Sequence, residues 1–264
     1  LIGTDATGNS KNGADYQGSM ADFLMLVIVD KTENTYSFLQ FNRDTMTEVA
    51  LIDHNGEGEA TANIQLCTAH WYGGNREQSC ENTVKSVKKL LGGIHIDGYY
   101  ELNMSEIPKL NSMVDGVTVT LEDDFSKKYP KMKKGATINL DDEQAYAYVH
   151  DRYGVGDEEN TSRMKRQQQY MTGFFKKLQE KVKANPNYAN EVFESLQDVS
   201  TTDITIGKIS NISNIFASGT DKGIFELAGK SKIGQALGDE IDHMEFYVNK
   251  KAMVSTMSEL FGIV

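Results

Sequence analysis

Arg163, Arg166 and Gln167 stand at i, i+3 and i+4 in a stretch of helical periodicity, so their side chains share one face near the first turns of a helix. A helix N-terminus presents unpaired amide N–H groups and positive dipole character. Two guanidinium forks added there make a site suited to phosphate or pyrophosphate. The competing reading of Arg-x-x-Arg is a solvated basic face. Arg152 stands just before a polar, Gly-containing loop over 154–160 and can turn toward the same point. Arg43 and Asp44 follow the apolar run Tyr36–Phe41, at the C-terminal end of a strand, where α/β sheets commonly site their ligands. A strand-end ion pair that closes a loop is the alternative there. Asp5 ends a first strand and Asp22 precedes a second, and pairing of the two would bring both carboxylates to one edge with the arginines. Two carboxylates facing a pyrophosphate suit Mg2+, which takes oxygen ligands, keeps waters and bridges phosphate oxygens. Asp15 competes for the same role.

Other chemistries find little support. The histidines His54, His70, His95, His150 and His243 are scattered without metal-ligand spacing, which favours a structural or surface role for each. The sequence holds no Gly-x-Ser-x-Gly, Walker loop or Gly-x-Gly-x-x-Gly, which weakens the hydrolase and P-loop readings. The formal net charge is −11, from 27 Lys+Arg against 38 Asp+Glu, and phosphate neutralisation along a nucleic acid needs a clustered basic surface. Nucleic-acid binding is therefore not expected. Cys67 and Cys80 are the whole thiol inventory, which speaks against a Cys-ligated zinc and leaves one disulfide or two free thiols open. A disulfide there would constrain the unfolded chain by roughly 3 kcal/mol.

These residues need elements to hold them. The 264 residues, 39% apolar and 25% charged, suffice for a sizeable core, and no internal repeat or long linker divides them, so one domain over 1–264 is expected. Phe23–Val29, the longest apolar run, is far short of the ~20 residues that span a bilayer. It reads as a buried strand, and with turn residues at 30–35 and the run 36–41 it predicts a β-hairpin over 23–42. Helical spacing of Val84, Val87, Leu90 and Leu91 before Gly92-Gly93 predicts a helix over 79–91. Strand patterns at 99–102 and 117–121 flank a short helix over 105–114. Asp141 as N-cap with Gln144 three residues on makes a capping box for a helix over 142–151. Thr161 or Ser162 can cap a long helix that ends near Pro186. Beyond 187, short helical segments alternate with turns such as 217–220, before a strand over 244–248 and a last helix near 251–261. Interleaved strands and helices define an α/β or α+β class. The start, Leu1-Ile2-Gly3-Thr4-Asp5, reads as the end of a strand and suggests that a segment precedes it.

Taken in order, these pieces resemble the LytR-CpsA-Psr family, extracellular enzymes that attach glycopolymers to the Gram-positive cell wall. The residues that carry the resemblance begin with Leu1-Ile2-Gly3-Thr4-Asp5, Ala21-Asp22 before an apolar strand, and Asn42-Arg43-Asp44-Thr45. Asn63 with Tyr72-Gly73-Gly74, and Met113-Val114-Asp115-Gly116-Val117-x-Val119, match further family segments. Most specific is the run 140–152, Leu-Asp-Asp-Glu-Gln-Ala-Tyr-Ala-Tyr-Val-His-Asp-Arg, followed by Gly156-Asp157 and Arg163-Met164-Lys165-Arg166-Gln167-Gln168.

The resemblance implies an α/β/α-like catalytic domain whose mixed central sheet and helices enclose a hydrophobic tunnel for a polyprenyl (undecaprenyl) chain, with the pyrophosphate at its mouth. It implies Mg2+ on Asp5 and Asp22, and phosphates gripped by Arg43, Arg152, Arg163, Arg166 and Gln167, with His150 at a matching position. Asp22, Arg43 and Asp44 become the catalytic set. The implied reaction is phosphotransfer: a peptidoglycan hydroxyl attacks the sugar-linked phosphorus, lipid monophosphate leaves, and an aspartate accepts the proton. The polymer would be teichoic acid, capsule or a similar anionic glycan, and the domain would sit outside the cell on an N-terminal membrane anchor. An oxidising exterior favours the Cys67–Cys80 disulfide. Three family cations are replaced: His150-x-Arg152 stands for Arg-x-Arg, Ala62 for the Lys of Lys-Ile-Asn, and Gly18-Ser19-Met20-Ala21 where an arginine usually precedes the second aspartate. Lys11 or Arg76 could substitute. The alternative these changes raise is a member that binds or hydrolyses polyprenyl-pyrophosphate lipids without efficient transfer, and a third reading is a wall-polymer scaffold with no chemistry.

Overall fold

The computed structural model describes residues 1–5, 16, 18–58 and 60–262. The chain opens with β1 (Ile2–Thr4), β2 (Ala21–Asp30), β3 (Thr35–Phe41), β4 (Met46–Ala50) and β5 (Thr61–Gln65). Next come α1 (Arg76–Leu90), β6 (Tyr100–Asn103), α2 (Ile107–Met113), β7 (Thr118–Thr120), β8 (Thr137–Asn139) and α3 (Asp142–His150). The second half carries α4 (Asn160–Ala184), α5 (Tyr188–Ser195), β9 (Ser200–Thr202), α6 (Ile206–Ser218), β10 (Thr220–Glu226), β11 (Gly229–Gly234), β12 (His243–Val248) and α7 (Lys250–Phe261). A six-stranded sheet has the order β10-β3-β2-β1-β6-β9. β1 is parallel to β6 and β10 to β3, and the other pairs are antiparallel, so the sheet is mixed and flanked by helices as expected.

β2 reads as an unbroken apolar run because both of its faces are covered. Leu24, Leu26 and Ile28 pack with Val87 of α1 and Met257 of α7, while Met25, Val27 and Val29 pack with Phe175 of α4 and Phe216 of α6. At roughly 1.5–3 kcal/mol for each fully buried large side chain, this strand anchors both helical layers. A further core joins α2, α3 and the β7–β8 hairpin to α4 through Val117, Leu140, Tyr148, Tyr170 and Phe174.

The hairpin expected over 23–42 forms as β2 and β3, paired from Leu24↔Phe41 to Asp30↔Thr35. The capping box forms too: Gln144 N–H donates to Asp141 Oδ1 at 2.9 Å and Asp141 N–H to Gln144 Oε1 at 3.1 Å. Three expectations change. α4 begins at Asn160 after Glu159, which gives no side-chain cap, and Ser162 Oγ donates instead to Asp157 Oδ2 at 2.8 Å, closing the preceding loop. Asp22 lies within β2 and not before it. Cys67 and Cys80 are buried free thiols, so the disulfide is not formed. Cys67 Sγ receives Arg43 Nη2 at 3.2 Å, and Cys80 Sγ lies 3.6 Å from His70 Nε2. Among the described residues no helix is long and apolar enough to cross a membrane.

Candidate functional site

Asp22 is the centre of the site. It is 8% exposed, and each carboxylate oxygen accepts from a different arginine: Oδ1 from Arg43 Nη1, and Oδ2 from Arg163 Nη1 at 3.0 Å. Arg43 comes from the turn after β3 and Arg163 from the first turn of α4, so the site joins three elements distant in sequence. Asn160 holds Arg163 Nη2 through its Oδ1 at 2.9 Å and donates from Nδ2 to Asn42 Oδ1 at 3.2 Å. Asn42 Oδ1 also accepts Asp44 N–H at 2.9 Å, which shapes the Arg43-Asp44 turn. Burial, and then the neighbouring Arg43, lower Arg163 to about 10, which leaves it charged at neutral pH. Its Nε is buried and without a hydrogen-bond partner among the described residues. A buried cationic donor left open costs free energy and suits an anion. Asp44 Oδ1 lies 3.5 Å from Arg43 Nε, and burial pushes this carboxyl above the usual aspartate range.

Asp5 reaches the same edge because Thr4 of β1 pairs with Ala21 of β2 and Asp5 N–H donates to Met20 O at 3.4 Å. His150, at the end of α3, stands between Asp5 Oδ1 (3.5 Å from Nε2) and Asp151 Oδ1 (3.3 Å from Nδ1), and the bond to Asp151 holds its pKa above the ordinary imidazole value. Arg152 stacks 4.7 Å from the Tyr153 ring centroid and lines a polar cavity of about 420 Å3 with Arg43 and Asp44.

Arg166 and Gln167 are placed differently. Every nitrogen of Arg166 is engaged inside the protein: Nε by Tyr148 O at 2.9 Å, Nη1 by Asp123 Oδ2 at 2.5 Å and Nη2 by Asp151 O. It locks the end of α3 to α4. Gln167 donates to Val149 O at 3.2 Å and accepts Gln40 Nε2 at 3.3 Å. Gln167 also lines a second, apolar cavity of about 340 Å3 whose walls include Phe23, Phe38, Phe174, Ile212 and Phe216. Arg163 and Gln167 lie one turn apart on α4, and Phe23 follows Asp22 on β2, so residues of the apolar cavity's wall adjoin the Asp22 cluster.

Asp15 and Lys11 lie outside the described residues. Arg76 pairs with the buried Glu101 on α1's side of the sheet and does not join the cluster. Gly73 and Gly74 pack where a Cβ would meet Ser79 Oγ at 2.7 Å and Gly56 N at 2.7 Å, so Trp71-Tyr72-Gly73-Gly74 is a tight turn into α1. Among the described residues no group of three or more His, Cys, Asp or Glu could hold a metal by itself. Asp5 and Asp22 nevertheless supply the hard oxygen donors that Mg2+ takes in ones and twos beside phosphate. Each Asp22 oxygen keeps lone pairs beyond the one the arginine uses, so the donor set fits. The site roles of Asn42, Asn160 and Cys67 are not legible in the sequence: Asn160 meets Asn42 across 118 residues and Cys67 meets Arg43 across 24, and no local pattern encodes either contact.

Fold and site together define a layered α/β domain with a carboxylate held by Arg43, which lines a polar cavity, and by Arg163, one turn along α4 from Gln167, which lines an apolar one. The chain belongs to the LytR_cpsA_psr family, whose sequence profile matches residues 1–261. Among solved structures it is similar to TagV of B. subtilis, at 19% identity and TM-score 0.72, with 100% of this chain and 96% of that one covered. It is also similar to protein gbs0355 from Streptococcus agalactiae, at 20% identity and TM-score 0.75, covering 98% and 84%. A third similar structure is TagT bound to LI-WTA, at 20% identity and TM-score 0.71, covering 99% and 88%. A comparison with curated proteins by sequence finds no match.

Proposed function

We propose that this domain is a phosphotransferase that moves an anionic glycopolymer from a polyprenyl-pyrophosphate carrier to peptidoglycan, outside the cell. The observation that carries this reading is the nearness of Gln167 and Arg163 on α4: Gln167 lines an apolar cavity suited to a hydrocarbon chain, and Arg163, one turn away, shares Asp22 with Arg43 in an arginine pair that suits a diphosphate. The structure of TagT bound to LI-WTA, in a chain of the same fold, agrees with it.

Arg43, Arg163 and Arg152 would grip the phosphates and offset charge that grows on the transferring phosphoryl group. Asp22 holds two of these guanidiniums in place. Asp5 and Asp22 would hold Mg2+, which supplies charge neutralisation across the phosphate oxygens. Both Asp22 oxygens already accept from arginines, while Asp44 lines the polar cavity beside Arg43.

The test incubates the domain with Mg2+ and an undecaprenyl-pyrophosphate-linked oligosaccharide, with and without peptidoglycan, and follows products by mass spectrometry. An acceptor-dependent glycan phosphodiester is the expected product, lost in Arg43→Ala. Free prenyl monophosphate without transfer would instead make the protein a lipid pyrophosphatase, and unreacted bound lipid a binding module.

A further inference from the structure

The polar cavity has a second wall, built by the end of the chain. β12 docks on the Arg43-Asp44 turn: Phe246 N–H donates to Asp44 O at 2.8 Å, and Thr45 bridges Phe246 in parallel. This places His243, the first residue of β12, on the cavity that also holds Arg43, Asp44 and Arg152. Asp239 grips the imidazole at Nε2, 2.8 Å from Oδ2 and 3.0 Å from Oδ1. A carboxylate on Nε2 fixes the tautomer with its proton there, which leaves the lone pair on Nδ1. No bond to Nδ1 forms among the described residues, and the side chain is 30% exposed.

Gln65 marks the same wall. It is 3% exposed, its Nε2 donates to Met244 O at 3.1 Å, and its Oε1 is buried without a partner among the described residues although the residue lines the cavity. An orphaned amide oxygen at a polar cavity is a place for a hydroxyl donor. The cavity also carries the carboxylates of Asp44, Glu158, Glu159 and Asp242 against the guanidiniums of Arg43 and Arg152. That balance disfavours a further phosphate and admits the hydroxyls of a sugar.

We propose that this wall is the acceptor side of the site, where His243, oriented by Asp239, accepts the proton of the attacking sugar hydroxyl while Gln65 Oε1 accepts a second hydroxyl of the same ring. The assignment rests on the transferase reading. In the step, the hydroxyl oxygen forms a bond to the sugar-linked phosphorus, the bond from that phosphorus to the bridging oxygen breaks, and the electron pair leaves with prenyl monophosphate. The hydroxyl proton passes to His243 Nδ1, and the imidazolium is stabilised by Asp239. Asp239 is a positioning residue.

The experiment compares the whole domain with His243→Ala and Asp239→Asn, each checked by circular dichroism and for binding of geranylgeranyl pyrophosphate. In His243→Ala, transfer to peptidoglycan falls by about 10²-fold or more, prenyl-pyrophosphate binding is unchanged, the loss of rate on the acid side of the pH profile disappears, and added imidazole restores part of the rate. In Asp239→Asn, transfer falls less and the acid-side loss moves to a different pH. Transfer by His243→Ala at the unaltered rate with an unaltered pH profile overturns the assignment and leaves the transferase reading standing. A loss that imidazole does not rescue, with weaker prenyl-pyrophosphate binding, assigns His243 a structural role and also overturns it. No transfer by the unaltered protein, with lipid hydrolysed or merely bound, overturns the transferase reading and the acceptor wall with it.

Discussion

A guanidinium whose nitrogens are all engaged by buried protein acceptors supports the fold, whereas one on the wall of a cavity is open to a ligand. Arg166 is of the first kind, held by Asp123 and two carbonyls. Arg152 is of the second, with the exposed Tyr153 as its partner. Arg166→Ala is therefore expected to cost about 3–5 kcal/mol, because it leaves a carboxylate and two carbonyls unpaired, and a lower urea midpoint at unchanged m would show it. Arg152→Ala is expected to hold stability within about 0.5 kcal/mol while weakening prenyl-pyrophosphate binding; the reverse pattern in both variants would exchange these roles. The i, i+3 spacing rightly places Arg163 and Arg166 on one side of α4, and that side is buried, not solvated. Their divergence was not legible, since it depends on partners on β2 and in the loop after β7 that only the fold brings within reach. His70 tests burial from another direction. It is 2% exposed, with Nδ1 2.9 Å from Ser19 O, and burial holds its pKa below the ordinary imidazole value. The unfolded chain binds a proton at this residue below about pH 6.5 and the folded chain does not, so stability falls as pH drops through that window until the folded form also protonates. His70→Gln is expected to flatten this part of the fall, read from thermal melts between about pH 6.5 and 5; an equal slope in both proteins would remove His70 as its source.

The elements that sequence patterns reveal are those whose burial is one-sided and periodic, or complete. α1, α3 and α4 show helical spacing because each presents one face to a core, and β2 shows an apolar run because both of its faces are covered. β9, β10 and β11 escape the same reading. β9 has three half-buried polar residues, β10 begins with the exposed Thr220-Asp221-Lys222 at the sheet edge, and β11 is exposed over nearly its whole length. With little buried there is no alternation to read, and the parallel pairing of β10 with β3 is set by α6 returning the chain. Consequently β11 is invisible from sequence alone, and β12, expected as a strand over 244–248, gives no sign there that it docks on the polar cavity. End signals fare better where side chain and backbone bond reciprocally. The Asp141–Gln144 box satisfies a backbone donor from each direction, and α3 carries His150 toward Asp5 at its other end. Asp141→Ala is expected to destabilise the domain by about 1 kcal/mol, measured by urea unfolding, with Asp141→Ser recovering most of it. No loss in the alanine variant would mean that packing of Ala145, Tyr148 and Val149, all buried, holds α3 without its cap.

At the scale of the whole molecule, the sheet's two faces are used differently. α1 and α7 close one face with apolar packing, while α4, α5 and α6 stand off the other and leave the cavity of about 340 Å3 between them and the strands. Rings and branched side chains of β2, β3, α4 and α6 surround that space, among them the stacked pair Phe38 and Phe175 with centroids 4.3 Å apart. Interiors are ordinarily packed without voids of this size, so an open apolar cavity is kept for an occupant. A hydrocarbon chain gains about 0.8 kcal/mol for each buried methylene, and each added prenyl unit that enters should therefore tighten binding until the space is full, after which further units add nothing. A series of prenyl pyrophosphates of increasing length, followed by calorimetry, is expected to show that rise and plateau. Ile212→Trp, which places an indole in the cavity from α6, should shorten the plateau and weaken the longest ligand by about tenfold or more, as loss of two or more buried methylenes would. Inorganic pyrophosphate, which lacks the chain and needs only the arginines, should bind both proteins alike. Unchanged affinity for the long ligand would put its chain outside the cavity, and equal weakening of inorganic pyrophosphate would mean that the tryptophan had disturbed the head-group site instead of filling the space meant for the chain.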